Sequence, residues 1–388
     1  MTTRAPDTLR QVLEGSSLVV LVGDGGVGKT SVSAAVAYGL ACGGEDVGVL
    51  TVDPAPRLGD ALGVPAIDAD PKQVRLPAGA AGSLTAMRLD TQRTFDRLVA
   101  GQAPSPEAAA ALLSHPIYRA ISQQLGGTDS YMAFQRLHEL LERQSPELER
   151  AAHDVLVVDT PPAASAAQLL SAPARLSGLM ETGALSILAQ PALIAARASS
   201  RIARVTISVL LAAVERVTGA SLQREIADFV GLFSELVGGL EDRARRIDAL
   251  LRAPSTAFVL VTRARRGDVA AALAFHSQLA RSGIGVAAVV VNRVLPGGSR
   301  VLPGGSRVLP GGADGSRSLA DLPKRLHAAV RRMEADIAAV RALELEAIAE
   351  LRSAISAAGG CPVLVLEDRD VDVTTLEDIA ALAAALGF

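Results

Sequence analysis

The sequence predicts an α/β fold, a mostly parallel sheet flanked by helices, with an inserted α-helical subdomain. Three observations carry this expectation. Short apolar runs recur along the chain with helical stretches between them, two of the runs end in an aspartate, and the first leads into a glycine-rich turn and a small-residue helix. Such sheets gather their ligands at the carboxyl ends of their strands, so chemistry is expected there.

After a short helical lead-in, Ser17 to Val22 is a β-branched and leucine run that stops at Gly23, and the helix predicted beyond the turn spans Thr30 to Cys42. Val47 to Val52 is the second strand, ending at Asp53, and Asp154 to Val158 the third, ending at Asp159. Phe258 to Thr262, Val286 to Val291 and Pro362 to Leu366 complete the strand-like runs. Two helical blocks interrupt them, from about Asp90 to Arg150 and from about Ala163 to Leu251.

In the second block Leu222, Ile226, Phe229, Phe233, Leu236, Leu240 and Ile247 form one apolar stripe at helical spacing. Core packing and a groove for a hydrophobic client helix both fit it. Gly238-Gly239 within the stripe marks either a hinge or a helix end. Val294 to Gly312 reads VLPGGSR, VLPGGSR, VLPGG, whose Pro-Gly-Gly steps demand turns; the period is too short for a solenoid. Neutral loop expansion and a partner contact both account for it. Leu322 to Ile355 is a long charged amphipathic helix or helix pair. The expected division is a discontinuous sheet domain over 1–89, 151–162 and 253–388, carrying the repeat loop at 294–312, with a helical subdomain over 90–150 and 163–252.

Composition narrows the function. Of 388 residues, 49% are hydrophobic and 20% charged, which excludes a disordered chain. No apolar run approaches the ~18 residues of a membrane span. Thirty-eight basic against 41 acidic side chains, a net charge of −3, only 3% aromatics and no tryptophan argue against a nucleic-acid partner. Cys42 and Cys361 are far apart and outside any Cys-x-x-Cys pair, which argues against a disulfide framework and a four-cysteine zinc site. Met1 to Gly15 is polar and lacks the apolar core of a signal peptide, so a cytoplasmic location is expected.

Gly23-Asp24-Gly25-Gly26-Val27-Gly28-Lys29-Thr30 fits the phosphate-binding loop G-x-x-x-x-G-K-[ST], with a strand before it and a helix after it. Backbone N–H groups of Gly25, Gly26, Val27, Gly28, Lys29, Thr30 and Ser31, with the helix dipole, would cradle the β-phosphate of a nucleotide. Lys29 would bridge the β- and γ-phosphates, and Thr30 would give its hydroxyl to Mg²⁺. Asp159 stands where a Walker-B carboxylate would hold Mg²⁺ directly or through water, and Asp53 ends the neighbouring strand. Asp60 lies further along, in an expected loop that could fold over the γ-phosphate and orient attacking water. A helix N-cap is the alternative for it.

These residues resemble the ArsA family of ATPases. The resemblance rests on the Gly-Gly-Val-Gly-Lys-Thr core, the Asp-Pro-Ala-x-x-Leu-x-Asp segment from Asp53 to Asp60, and Asp159-Thr160-Pro161-Pro162 followed by Leu169-Leu170 and Pro173. Leu89-Asp90-Thr91, Gly127 to Met132, Phe258 to Thr262 and Val290-Val291-Asn292-Arg293 look most like the bacterial, often gene-paired members. The resemblance implies ATP with Mg²⁺, Asp60 as the hydrolytic aspartate, and Asn292 reading the adenine base, with Arg293 beside it in the nucleotide site. It also implies a homodimer or a heterodimer with a paralogue, and a hydrophobic client or membrane partner moved by switch loops.

The sequence departs from the family pattern at informative places. Asp24 stands where members usually carry a lysine that crosses a dimer to the partner's phosphates. An anion there either repels those phosphates, by ~4 kcal/mol for a unit-charge pair at ~4 Å, or turns to solvent. The repulsive case favours a weakly hydrolysing subunit completed by a lysine-bearing paralogue. Pro56 replaces the usual switch histidine, and Leu366 a proline of the adenine loop. Arsenite or anion pumping is the weakest reading, since soft metalloids want thiolates and the two cysteines are separated.

Overall fold

The computed structural model describes residues 8–53, 55–64, 67–103, 105–115, 118, 129–141, 153–160, 245–296, 324–369 and 373–388. Among them one eight-stranded sheet has the order β3-β4-β2-β5-β1-β6-β7-β8. Its strands are β1 (Leu18–Gly23), β2 (Asp46–Thr51), β3 (Lys72–Gln73), β4 (Ser83–Arg88), β5 (Val155–Asp159), β6 (Thr256–Arg263), β7 (Val286–Val294) and β8 (Val363–Glu367). Every pairing is parallel except the short β3 on β4.

β1 lies between β5 and β6 with all six residues buried. Leu18, Val20 and Val22 enter one apolar cluster while Val19 and Leu21 enter the other, which is why a central parallel strand reads as an unbroken apolar run. The six expected strands are all present, with ends shifted by a residue or a few. β3 and β4 were not expected. β4 begins with Ser83, carries Thr85 between Leu84 and Ala86 and ends at Arg88, and β3 is two residues long.

One face of the sheet is covered by α1 (Leu9–Leu13), α2 (Lys29–Cys42), α3 (Arg57–Leu62) and α9 (Leu376–Leu386). α2 is alanine-rich and buried from Val32 to Ala41, so its backbone can lie close to the strands. The other face carries α4 (Thr91–Gln102), α5 (Pro106–Ser114), α6 (Asp129–Leu141), α7 (Arg266–Arg281) and α8 (Lys324–Ala357). α4 starts where the first helical block was expected, with the Asp90 side chain accepting from Arg93 N at 2.8 Å. Leu98, Leu112 and Leu137 of this block share one apolar cluster with Leu18 and Leu156 of the sheet.

The expected helix or helix pair near the C-terminus is one helix of 34 residues, α8. Its later half buries Ile348, Leu351 and Ile355 under the sheet, while Met333, Ile337 and Val340 of its earlier half are about half exposed. The segment from Pro161 to Pro173, the stripe from Leu222 to Leu240 with Gly238-Gly239, Gly127-Thr128 and the repeat beyond Pro296 lie outside the described residues. Ile247 lies within them and is fully buried. No helix among the described residues is long and apolar enough to cross a membrane.

Candidate nucleotide-binding site

The turn from Gly23 to Gly28 carries the chain from β1 into α2. Gly28 caps α2 with φ 95°, and a Cβ there would collide with the side-chain nitrogen of Asn292. Asn292 is buried near the end of β7; its Nδ2 donates to the Val27 carbonyl at 2.9 Å and its Oδ1 accepts from Arg293 N at 3.0 Å. The residue assigned to the base by resemblance therefore first of all braces the phosphate loop. Arg293, exposed and with φ 58°, is the single non-glycine residue in the left-handed region among the described residues.

No side chain caps α2, and its first turn holds no acidic residue. Its first backbone N–H groups, from Lys29 to Ser31, have no intrahelical acceptor and form the ready donors of an anion cradle. Asp24 is exposed, and its Oδ1 accepts from Gly25 N at 2.7 Å. Lys29 is buried, and its Nζ donates to the carbonyls of Gly23 at 2.9 Å and Asp24 at 2.8 Å, stitching the loop closed. Burial pulls its pKa below the usual lysine range against the opposing pull of Asp159, Asp24 and Asp53. One ammonium hydrogen remains for a ligand.

Asp159 closes β5 in register with Leu21 and Thr51, and is 1% exposed. Its Oδ2 accepts from Thr30 Oγ1 at 2.8 Å and Thr51 Oγ1 at 3.0 Å, and Ser33 Oγ lies 3.5 Å from Oδ1. Burial pushes the carboxyl up to about 6, although the hydroxyls of Thr30 and Thr51 and the charge of Lys29 favour its ionised form. Thr51 and Ser33 were missed in the sequence, yet both left a signal. Thr51 stands two residues before Asp53 near the end of the apolar run, and Ser33 follows Thr30 by one helical turn.

Asp53 is half-buried; its Oδ1 accepts from Ala55 N at 2.9 Å, and its Oδ2 lies 3.7 Å from Arg57 Nη1. Arg57, given no role from sequence, contributes to depressing the Lys29 pKa and so belongs to the site's electrostatics. Thr30, Asp53 and Asp159 offer hard oxygen donors of the kind that suits Mg²⁺. Asp60 corrects the sequence expectation. It lies in neither a loop nor an N-cap but within α3, whose N-cap is Pro56 and whose C-cap is Gly63. Its N–H donates to Pro56 O at 2.9 Å, and its exposed carboxylate has no hydrogen-bond or ion-pair partner among the described residues. The structure thus brings together Lys29, Thr30, Asp53 and Asp159, with Asn292 behind the loop, and does not join Asp60 to them. Cys42 packs on the α2 side of the sheet and Cys361 on the α8 side.

Residues 16–301 match the family model described as anion-transporting ATPase. The chain is 27% identical over 282 residues to the arsenical pump-driving ATPase of Escherichia coli, covering 72% of this chain and 40% of that protein. It is 36% identical over 162 residues to an uncharacterized protein of Streptomyces coelicolor, covering 41% of this chain and 37% of the relative. It is 28% identical over 170 residues to ATPase GET3 of Malassezia globosa, covering 43% and 46%. The matches therefore span less than half of each relative. With its family model matched over residues 16–301, on a sheet whose first turn is a complete phosphate loop, the chain belongs to the ArsA ATPase family.

Proposed function

We propose that this chain binds ATP with Mg²⁺ at the Gly23–Thr30 loop and hydrolyses it. The observation that carries the reading is the Thr30 hydroxyl held at 2.8 Å by the buried Asp159 carboxylate, beside Lys29. The named relatives include ATPases, which supports the activity. The open N-terminus of α2 and the loop amides receive the β-phosphate, Lys29 lends its remaining hydrogen to the β- and γ-oxygens, and Asn292 keeps the loop in shape while its second amide hydrogen is free for the base. Mg²⁺ would be held by Thr30, with Asp159 and Asp53 directly or through water, and would neutralise charge developing on the phosphates. Asp60 orients the attacking water once α3 approaches the γ-phosphate.

Hydrolysis then repositions the helical blocks at 90–150 and 163–252 about the discontinuous sheet domain, engaging a hydrophobic client or membrane partner from the cytoplasm. The protein works as a homodimer or beside an ArsA-like paralogue. Asp24 supports a second reading, a weakly hydrolysing subunit that needs a lysine-bearing sibling. Pumping of arsenite has less support, because Cys42 and Cys361 pack on opposite sides of the sheet and cannot share one soft ion.

ATP turnover by the isolated chain, by its Asp60→Asn variant and with a neighbouring paralogue separates these readings. Strong turnover unaffected by Asp60→Asn removes both the assigned role and the subunit idea. In sedimentation, Asp24→Lys is expected to increase ATP-dependent self-association; unchanged association means that Asp24 faces solvent.

A further inference from the structure

Arg57 is the first residue of α3, and its side chain is 70% exposed. Its ion pair with Asp53, Nη1 to Oδ2 at 3.7 Å, is longer than a hydrogen bond. A pair so long and so exposed adds little to stability, so holding the fold together does not explain the arginine. A guanidinium carries five N–H donors in a planar fork, and this contact leaves them open to a ligand.

Its position ties it to both halves of the proposed reaction. Asp53 N–H donates to Thr51 Oγ1 at 3.2 Å, and that hydroxyl donates to Asp159 Oδ2 at 3.0 Å, so Arg57 reaches the metal-holding carboxylates through a short chain of contacts. Arg57 and Asp60 are three residues apart on α3 and share its exposed face, while Leu58, Ala61 and Leu62 are buried. A movement of α3 that carries Asp60 to the γ-phosphate therefore carries Arg57 there too. Positive charge is scarce at that point. Lys29 already gives two of its three hydrogens to the carbonyls of Gly23 and Asp24, and it stands among the carboxylates of Asp159, Asp24 and Asp53. Arg57 is the further cation whose charge is felt at Lys29.

We propose that Arg57 is a catalytic residue for ATP hydrolysis, donating from within the same chain to the non-bridging γ-oxygens as they gain charge in the transition state. The proposal rests on the ATPase reading. With the site empty, Asp53 draws Arg57 back; once Asp53 faces Mg²⁺, its charge is shared with the ion and the guanidinium is released to the phosphate. In the reaction the oxygen of a water held by Asp60 bonds to the γ-phosphorus as the bond to the β–γ bridging oxygen breaks. ADP keeps that electron pair, and both water hydrogens leave on the phosphate. Charge spreads over the equatorial oxygens meanwhile, and the planar fork of Arg57 matches two of them.

The test compares the full chain with Arg57→Ala and Arg57→Lys, all with Mg²⁺. Position 57 is exposed, so the melting temperature should stay unchanged. Calorimetry should find ADP affinity altered by less than about twofold, because ADP lacks the group that Arg57 touches. Binding of ADP with aluminium fluoride, a mimic of the planar phosphoryl group, should weaken roughly tenfold or more in Arg57→Ala, and turnover should fall by about 10²-fold or more. Arg57→Lys keeps the charge without the fork and should recover part of both. The aluminium fluoride comparison decides the matter even if the chain turns over slowly. Arg57→Ala that keeps this binding and turnover within about twofold overturns the proposal and leaves the ATPase reading standing. An equal loss of ADP affinity and of aluminium fluoride binding also overturns it, since Arg57 then only shapes the resting pocket. So does an unaltered chain that holds ADP with aluminium fluoride no more tightly than ADP alone. Failure of the unaltered chain to bind any adenine nucleotide overturns the ATPase reading, and this role with it.

Discussion

Asp159 and Asp60, given metal-holding and hydrolytic roles in the proposed reaction, stand under opposite constraints. Asp159 ends a central strand, is 1% exposed and receives hydroxyls from both α2 and β2. Asp60 rides on a six-residue helix between Pro56 and Gly63, with its carboxylate in solvent. The strand end is built in advance, because sheet register and burial leave Asp159 nowhere else to go. α3 is anchored on the α2 side of the sheet by the buried Leu58, Ala61 and Leu62, while the Asp60 carboxylate on it faces solvent, so on its proposed role Asp60 comes into place only once a nucleotide is bound. On the proposed roles, the metal-holding side is built in advance and the hydrolytic side is not, the arrangement expected of a nucleotide-driven switch.

Lys29→Ala strikes both sides of this comparison and carries the largest expected effect. It removes a phosphate ligand and also the bonds to Gly23 and Asp24 that close the loop. Turnover should fall by roughly 10²–10³-fold or more, with ATP affinity falling as well; steady-state kinetics and equilibrium binding check this. Asp60→Asn should separate the sides, lowering turnover by about 10²-fold while ATP affinity changes less than about twofold. A matching loss of affinity would mean that α3 already forms part of the ground-state pocket.

Asp159→Asn probes the built side through stability. The carboxyl is raised by burial from 3.8 to about 6, so the folded state holds this proton more tightly than the unfolded one. Its contribution is full below about pH 4, is lost as pH rises through about 6, and stays lost above. The nucleotide-free protein therefore carries a cost on the order of 3 kcal/mol near neutral pH at this residue. Thermal melts should show Asp159→Asn flattening the pH dependence between about 4 and 6 and raising the neutral-pH melting point, while Mg²⁺-dependent nucleotide binding is lost. Asn292→Ala has the smallest expected effect, about 1–2 kcal/mol of stability from the unpaired Val27 carbonyl, with a modest loss of ATP affinity. An unchanged melting temperature would show that the loop holds its shape without the brace.

The legible parts of the molecule were those whose cause is local. β1, β5 and β6 are covered on both faces, and their apolar runs announce them; β4 alternates small polar residues with apolar ones at the margin, and so was silent. The phosphate loop declares itself by spacing, since glycine, lysine and threonine each answer a requirement within eight residues of chain. The partnership of Thr51 and Ser33 with Asp159 depends on strand register and helix phase at once. The bond from Asn292 to Val27 joins β7 to the loop that follows β1, two strands separated by β6 in the sheet, which no local pattern can express. The helical setting of Asp60 was hidden because Pro56 and Gly63 read equally well as turn residues.

The contact between Gly28 and Asn292 also sets an order on evolutionary change. A methyl group at position 28 evicts the asparagine, whereas losing the asparagine first opens the space that a methyl would need. Replacement at 292 before 28 thus avoids the steric half of the penalty, and the reverse order meets all of it, together with the backbone strain of φ 95°. The pair should behave as an epistatic unit in which one substitution permits the other, so that a lineage losing both has a single low-cost route and few ways back.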